Sequence, residues 1–444
     1  MAAAIDLAHA LVQSVADQAQ VRVLFIKGPI SNRWGLRPPR VSSDVDVLVE
    51  PSRSALLIEA LRTVGWRPRP ASLANKAFVT HSDSLINERW PCDIDVHYSY
   101  PGMFATTAFE TLWARRQPLF LAERQIDAAD RVSSVIIAAL HSLRTPFDAR
   151  SASELDYLTA AWNVQELAPL GSELADVAGQ VGALLSLQPF LRAIGVETAV
   201  PTEVPAEYGI WLRNQRQLNR SAAWLSLISS ARWRDKPRLI VSAVFPARHD
   251  LYIDHPVGRT SAIALVRART DRLWSAARAL PVAVDAYRQE RAIVASTHHR
   301  AAGGSGPAER GFPAEETASE QVPPRREATP QDPTGMKEPR LRGGRSRGWW
   351  GSLSVRRARW TVSLTWERSA FVLDAALEAP VTSPILLEES AADIWREIQS
   401  ETLVSDLVRT LQQRYGVDSA ALDGQVEEFL VELEDLNLVE LRRS

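Results

Sequence analysis

The chain has 444 residues, with 51 basic against 53 acidic side chains, a formal charge of -2 and 45% hydrophobic residues. That length and apolar content suffice for two or three domains with ordinary buried cores, and the near-zero charge excludes a global field drawing the molecule to nucleic acid or an anionic membrane. Cys92 is the one cysteine, which excludes an internal disulfide framework and a cysteine-built zinc site and predicts a reducing, cytoplasmic compartment. The opening Met1-Ala2-Ala3-Ala4-Ile5-Asp6 lacks a basic n-region and a long apolar core, and no run approaches a membrane span.

In chain order, apolar spacing over Ala2–Gln18 predicts an amphipathic helix, Val21–Lys27 a strand, and Lys27-Gly28-Pro29 a tight turn into a short helix. Next comes Ser42-Ser43-Asp44-Val45-Asp46-Val47-Leu48-Val49. Its period of two sends Val45, Val47 and Val49 into a core and Asp44 and Asp46 onto the other face. Ser52–Val64 predicts a helix with Ser52 as its N-cap, and Lys76–Thr80, Leu85–Trp90 and Asp93–Tyr98 predict strands. Within the last, Cys92-Asp93-Ile94-Asp95-Val96-His97 repeats the acidic and apolar alternation. Asp44, Asp46 and Asp95 would then point one way and repel one another unless cations sat between them. Two hard divalent cations, Mg2+ or Mn2+, answer that, and the arrangement suits phosphoryl or nucleotidyl transfer. The alternative is a solvated edge-strand face, which the second Asp-x-Asp strand disfavours. Asp93 reads as a polar strand start.

From Phe104 to Val294 the pattern is mostly helical, with apolar periodicity in Asp130–Leu143, Glu154–Val164, Leu218–Ser229 and Leu265–Tyr287. These helices are expected to pack on the sheet and wall a substrate cleft, with His141 as a satisfied core histidine and His81 a weak site candidate. From Ser296 to Gly351 the composition turns to Gly, Pro, Ser, Glu and Arg, which predicts a disordered tether. Its end, Lys337–Arg359, holds eight basic residues against one acid, whereas Trp360–Ser444 holds 17 acids against six arginines, a net of -11. The basic run is expected to lie against the acidic domain or stay solvated, with docking of a charged peptide as the alternative. Strands over Trp360–Thr365, Ala370–Leu373 and residues 385–387 precede helices over Glu389–Gln399, Leu403–Tyr415 and Ala420–Leu436. The division expected is 1–150 catalytic, 151–295 a helical extension, 296–355 a disordered linker and 356–444 a C-terminal domain.

Phe25-Ile26-Lys27-Gly28, Arg40 with Asp44-Val45-Asp46-Val47-Leu48-Val49, and Ile94-Asp95-Val96-His97 together resemble the bacterial uncharacterised nucleotidyltransferase family of the polymerase-beta-type superfamily, over residues 5–290. The resemblance implies an α+β fold on a mixed sheet. It also implies that Asp44 and Asp46 bind the metals that carry a nucleoside triphosphate, and that Asp95 completes one metal site and activates the acceptor hydroxyl. Gly28 would let the backbone approach the triphosphate and Lys27 or Arg40 would neutralise its oxygens. Lys27 as a snorkelling strand-end residue is the alternative. The family's recurring Asp-x-His makes His97 a partner of a metal-bound carboxylate, against a plain half-buried histidine. The chain departs from the superfamily in having Gly28-Pro29 where a Gly-Ser pair is usual, which removes an amide donor, and in a longer gap from Gly28 to Asp44.

The C-terminal stretches Glu388-Glu389-Ser390-Ala391-Ala392-Asp393-Ile394-Trp395, Arg414-Tyr415-Gly416-Val417-Asp418 and Val426-Glu427-Glu428-Phe429-Leu430 resemble PqqD-like proteins over about 85 residues. These are recognition elements of ribosomally made, post-translationally modified peptides, and the resemblance implies a winged-helix fold that holds a leader peptide by β-strand addition. A winged-helix DNA binder is the competing reading, and a net of -11 argues against it. The whole reads as a metal-dependent nucleotidyltransferase that tailors a modified peptide, the lasso peptides being one candidate class. Its precursor peptide would be captured through the leader, with other maturation enzymes as further partners, and with neither nucleic acid nor membrane. Sugar transfer from a nucleotide-sugar and a non-catalytic leader-binding adaptor are the two rivals.

Overall fold

The computed structural model describes residues 1–70, 81–199 except 147 and 165–166, scattered positions between 205 and 288 including 231–244, and 353–443 except 367, 378, 380–382 and 418. The expected strand Lys76–Thr80, most of the helices Leu218–Ser229 and Leu265–Tyr287, and the tether Ser296–Gly351 lie outside them.

The N-terminal unit runs α1 (Ala2–Gln18), β1 (Val23–Ile26), α2 (Gly28–Arg33), β2 (Asp44–Val49), α3 (Ser54–Thr63), β3 (Arg67–Pro68), β4 (Ser82–Ile86), β5 (Asp93–His97), α4 (Ala108–Ala114), β6 (Gln117–Leu121), β7 (Arg124–Ala128), α5 (Arg131–Leu143), α6 (Ala149–Val164), α7 (Gly171–Gln180) and α8 (Leu184–Ala193). Among the described residues, seven strands form one mixed sheet in the order β3-β4-β5-β2-β1-β7-β6. The pairs β2 with β5 and β1 with β7 are parallel, and β1 runs antiparallel to β2.

Two cores flank this sheet, and strand alternation decides what enters each. Val23, Phe25, Val45, Val47, Val49, Ile94 and Val96 face α1 and α3. Leu24, Ile26 and Leu48 face α5 through α8. Asp44 and Asp46 share the face of Leu48, so they lie on the side of α5 and α6. Asp130 caps α5 by accepting from the Ser133 amide at 2.9 Å. The expected cap at Ser52 is not formed, because Pro51–Arg53 is a 3-10 turn that delays α3 to Ser54. The strand expected over Leu85–Trp90 lies earlier, at Ser82–Ile86, where it pairs with β5.

The β6-β7 hairpin interrupts a stretch expected to be mostly helical. Its turn places Ala122 and Glu123 at φ 47 and 58, left-handed conformations that normally call for Asn or Gly. Glu123 draws compensation from the C-terminal unit, accepting from Arg357, from Ser363 Oγ at 2.5 Å and from Thr365 Oγ1 at 2.8 Å.

That unit contains β8 (Leu353–Arg357), β9 (Thr361–Thr365), β10 (Ser369–Asp374), β11 (Ile385–Glu388), α9 (Glu389–Glu397), β12 (Thr402–Leu403), α10 (Val404–Tyr415), α11 (Ser419–Asp435) and β13 (Val439–Arg443). Its three-stranded sheets are ordered β11-β10-β9 and β12-β8-β13. β8 starts inside the segment assigned to the linker and pairs antiparallel with β13, where Arg356 bonds Glu440. Part of the basic run is therefore an ordered strand of the acidic unit.

The unit is seated on α1. Val362, Leu373 and Ala375 belong to the same core cluster as α1, Gln18 Nε2 donates to the Ala375 carbonyl at 2.8 Å, and the Leu377 amide donates to Gln18 Oε1 at 3.0 Å. This explains why every residue of α1 from Leu7 to Ala16 is buried: the sheet covers one side and the C-terminal unit another, so the amphipathic helix expected is a core helix. Val362→Asp would leave an unpaired carboxylate in this shared core. Calorimetry should then resolve two unfolding transitions where the unaltered chain shows one; two transitions in the unaltered chain would contradict the seat.

Candidate functional site

β2 and β5 pair in parallel with Asp44 opposite Asp93, Asp46 opposite Asp95 and Leu48 opposite His97. Residues in register on neighbouring strands share a face, so the two Asp-x-Asp runs converge at one end of the sheet. There the apolar contacts that Leu24, Ile26 and Leu48 make with the helices give way to a pocket of about 760 Å³. It is lined by Lys27, Ser31, Arg37, Arg40, Asp44, Asp46, His81, Ser84, Asp95, His97, His141, Arg144, Arg150 and Glu154, among others.

Asp46 is 5% exposed. Its Oδ1 accepts from Lys27 Nζ at 2.7 Å and from His97 Nε2 at 2.9 Å. Burial alone would raise this carboxyl, but the ammonium and the imidazole outweigh it and hold it below the ordinary carboxylate range. Burial likewise pulls on the Lys27 ammonium, and is overcome by Tyr100, whose ring lies 5.6 Å away, and by Asp46, so Lys27 stays charged. Asp44 behaves oppositely: burial and then the charges of Asp46 and Asp95 raise it. Asp95 accepts from Ser84 Oγ at 2.5 Å.

Lys27 ends β1 at φ 58, a left-handed conformation that costs a non-glycine residue about 1–3 kcal/mol. It aims the ammonium across the sheet end at Asp46, so Lys27 is the partner of a carboxylate, not a free phosphate ligand. Gly28 follows at φ 51, with a Cβ there 3.3 Å from Ser42 Oγ and 3.9 Å from the His9 ring. It does not line the pocket; the glycine serves the turn and its packing, which corrects the expected close approach to a triphosphate. Arg40 does line the pocket, bonded to Glu154 at 2.5 Å.

One ligand atom each of Asp46, Asp95 and His97 lie within 4.8 Å of one another, and Asp44 stands outside this cluster. Two carboxylates and an imidazole suit a divalent cation, the oxygens favouring Mg2+ or Mn2+ and the nitrogen leaning toward a transition metal. His97 was expected beside the ligands, and one of its ring nitrogens falls within this cluster.

Sequence reasoning expected helices to wall a cleft, but did not single out Arg144 and read His141 as a core residue. His141 is half-buried on the pocket and its Nδ1 has no hydrogen-bond partner, so it is not a satisfied core histidine. Arg144, three residues on at the end of α5, donates from Nη1 to His81 Nε2 at 3.3 Å, and His81 stacks on His97 at 5.9 Å. The His-x-x-Arg spacing on one helix face was the available signal.

Lys27→Met leaves Asp46 buried without its cation and should destabilise the chain by about 3–5 kcal/mol, read as a lower urea midpoint. Acid should act through the histidines. Burial, first among the causes, holds His9 and His141 down to about 4 and His81 to about 3. Groups with folded values below their unfolded 6.5 bind more protons when unfolded, so their contribution is complete above that pH and is lost on falling toward 4. A urea midpoint flat between pH 7 and 4.5 would contradict this.

Residues 380–439, from just before β11 to the start of β13, match the family described as Coenzyme PQQ synthesis protein D (PqqD). The part of the chain that carries the pocket has no family match. No curated protein matches the chain. The C-terminal unit is thus PqqD-like, and no helix among the described residues is long and apolar enough to cross a membrane.

Proposed function

We propose that the protein is a metal-dependent nucleotidyltransferase that tailors a ribosomally made peptide, with the PqqD-like unit capturing the precursor through its leader. The reading is carried by one observation: Asp44, Asp46 and Asp95 converge on one face of a sheet, inside a pocket rich in Arg and Lys, in a chain with a PqqD-like domain.

Mg2+ or Mn2+ held by Asp46 and Asp95, with His97 and Asp44 beside them, would offset the charge that builds on a transferring phosphate. Lys27 keeps Asp46 ionised and fixed in place. Arg37 and Arg40 border the pocket at Asp44 and meet the donor, a nucleoside triphosphate or a nucleotide-sugar. For a triphosphate, the acceptor oxygen bonds to the α-phosphorus, its proton passes to Asp95, and the bond from that phosphorus to the bridging oxygen breaks, releasing pyrophosphate. The leader would add as a strand to β11, which is an edge of its sheet. Lasso-peptide precursors are one acceptor class that this scheme serves.

The test is a panel of nucleoside triphosphates and nucleotide-sugars incubated with Mg2+ or Mn2+ and a precursor peptide encoded beside the gene, read by intact mass. A mass gain equal to a nucleotidyl group is expected, and it should vanish in Asp46→Asn and Asp95→Asn at retained circular dichroism. A hexosyl gain would shift the reading to the nucleotide-sugar donor. Unchanged turnover in both variants, or leader binding with no donor consumed, would overturn it.

A further inference from the structure

We propose that Arg144 and His141 form a phosphate-binding subsite on the helical wall of the pocket that holds the carboxylates. Of the pocket's other cations, Arg37 donates, among the described residues, only to the neutral Asn32 and Ser42 near Asp44, and the rest are paired with carboxylates. Lys27 is paired with Asp46, and Arg40 and Arg150 both bond Glu154. On the helical wall, among the described residues the Arg144 guanidinium meets no carboxylate, and the hydrogen bond it makes goes to the His81 ring nitrogen. That bond requires His81 Nε2 to be unprotonated, so it brings no negative charge.

The guanidinium fork therefore lines the pocket with its charge unbalanced and with donors to spare, the geometry that suits a phosphate. His141, one helical turn earlier, adds a buried Nδ1 with no partner. The local field agrees. Burial, and then the charges of Lys27 and Arg144, depress the His141 imidazole, with Asp46 and Glu154 acting the other way, so on this wall the net influence of the neighbouring charges is positive. The phosphate could belong to a polyphosphate donor or to a phosphorylated acceptor, because both present the same terminal oxygens. This subsite deepens the transferase reading and rests on it for the source of the phosphate, but binding itself does not need transfer.

The experiment is calorimetric titration of the full chain, in chelator and at fixed ionic strength, with tripolyphosphate and separately with O-phosphoserine. At least one probe should bind. Arg144→Gln should weaken it by about 10- to 100-fold, the usual worth of a charge-assisted hydrogen bond, while Arg144→Lys retains part of the affinity because charge remains without the fork. Arg116→Gln, at the β6 end and bonded to Asp127, should bind as the unaltered chain does. Circular dichroism checks folding, and His141→Gln gives a second reading if Arg144→Gln unfolds. Tripolyphosphate alone binding assigns the subsite to the donor; O-phosphoserine alone assigns it to the acceptor. Binding unchanged in Arg144→Gln, or absent for both probes, would overturn the proposal. Failure of every donor in the transfer assay, with the Arg144 effect intact, would instead remove the transferase reading and leave the subsite standing.

Discussion

A carboxylate buried as deeply as Asp46 survives only if its charge is met, and the way it is met organises this end of the molecule. Lys27 reaches it from the end of β1 and His97 from β5, while Asp46 itself sits on β2. Three strands are thereby pinned at one point. The strained backbone of Lys27, the parallel register of β2 with β5 and the stacking of His81 on His97 all follow from, or support, that junction. The pocket opens where this polar knot replaces the apolar contacts that hold the rest of the sheet to α5 and α6.

The second constraint is α1. Its burial on all sides makes it a shared element, with the mixed sheet on one side and β9 of the PqqD-like unit on the other. The C-terminal unit is thus not merely tied to the rest by a chain segment; it has a seat. For a captured leader this matters more than tether length. On the proposed reading, a peptide held on a seated unit would be confined to a fixed region of space relative to the pocket, which would raise its effective concentration and limit which core residues reach it.

The parts of the fold most legible in the sequence were those where a local pattern and the tertiary environment agreed. The alternation in Asp44–Val49 and Asp93–His97 predicted both faces of the central strands, because each strand has one apolar and one polar face there. The C-terminal strands and helices from Thr361 to Asp435 fall within a few residues of expectation, since each helix there carries an apolar stripe. What was missed depended on distant partners. Leu121-Ala122-Glu123-Arg124 contains no turn signal and reads as helix, yet it makes a hairpin because Glu123 is bonded from β8 and β9. β8 hid at the end of a low-complexity run, and its partner β13 lies 82 residues away in register, Arg357 with Val439. At the site, Asp44, Asp46 and Asp95 were identifiable by alternation and His97 through the family resemblance, whereas Arg144 and His141 enter through the packing of α5, and the bond of Lys27 to Asp46 depends on a backbone turn that no local pattern shows.

On the proposed reading, the converging carboxylates would form a divalent cation site. Its most direct measurement is titration of Mn2+ into the full chain followed by electron paramagnetic resonance, comparing the unaltered protein with Asp95→Asn. Saturable binding that weakens at least about tenfold in the variant, as loss of a charged oxygen ligand requires, is the predicted result. Equal binding in the two proteins, or none in either, would contradict it.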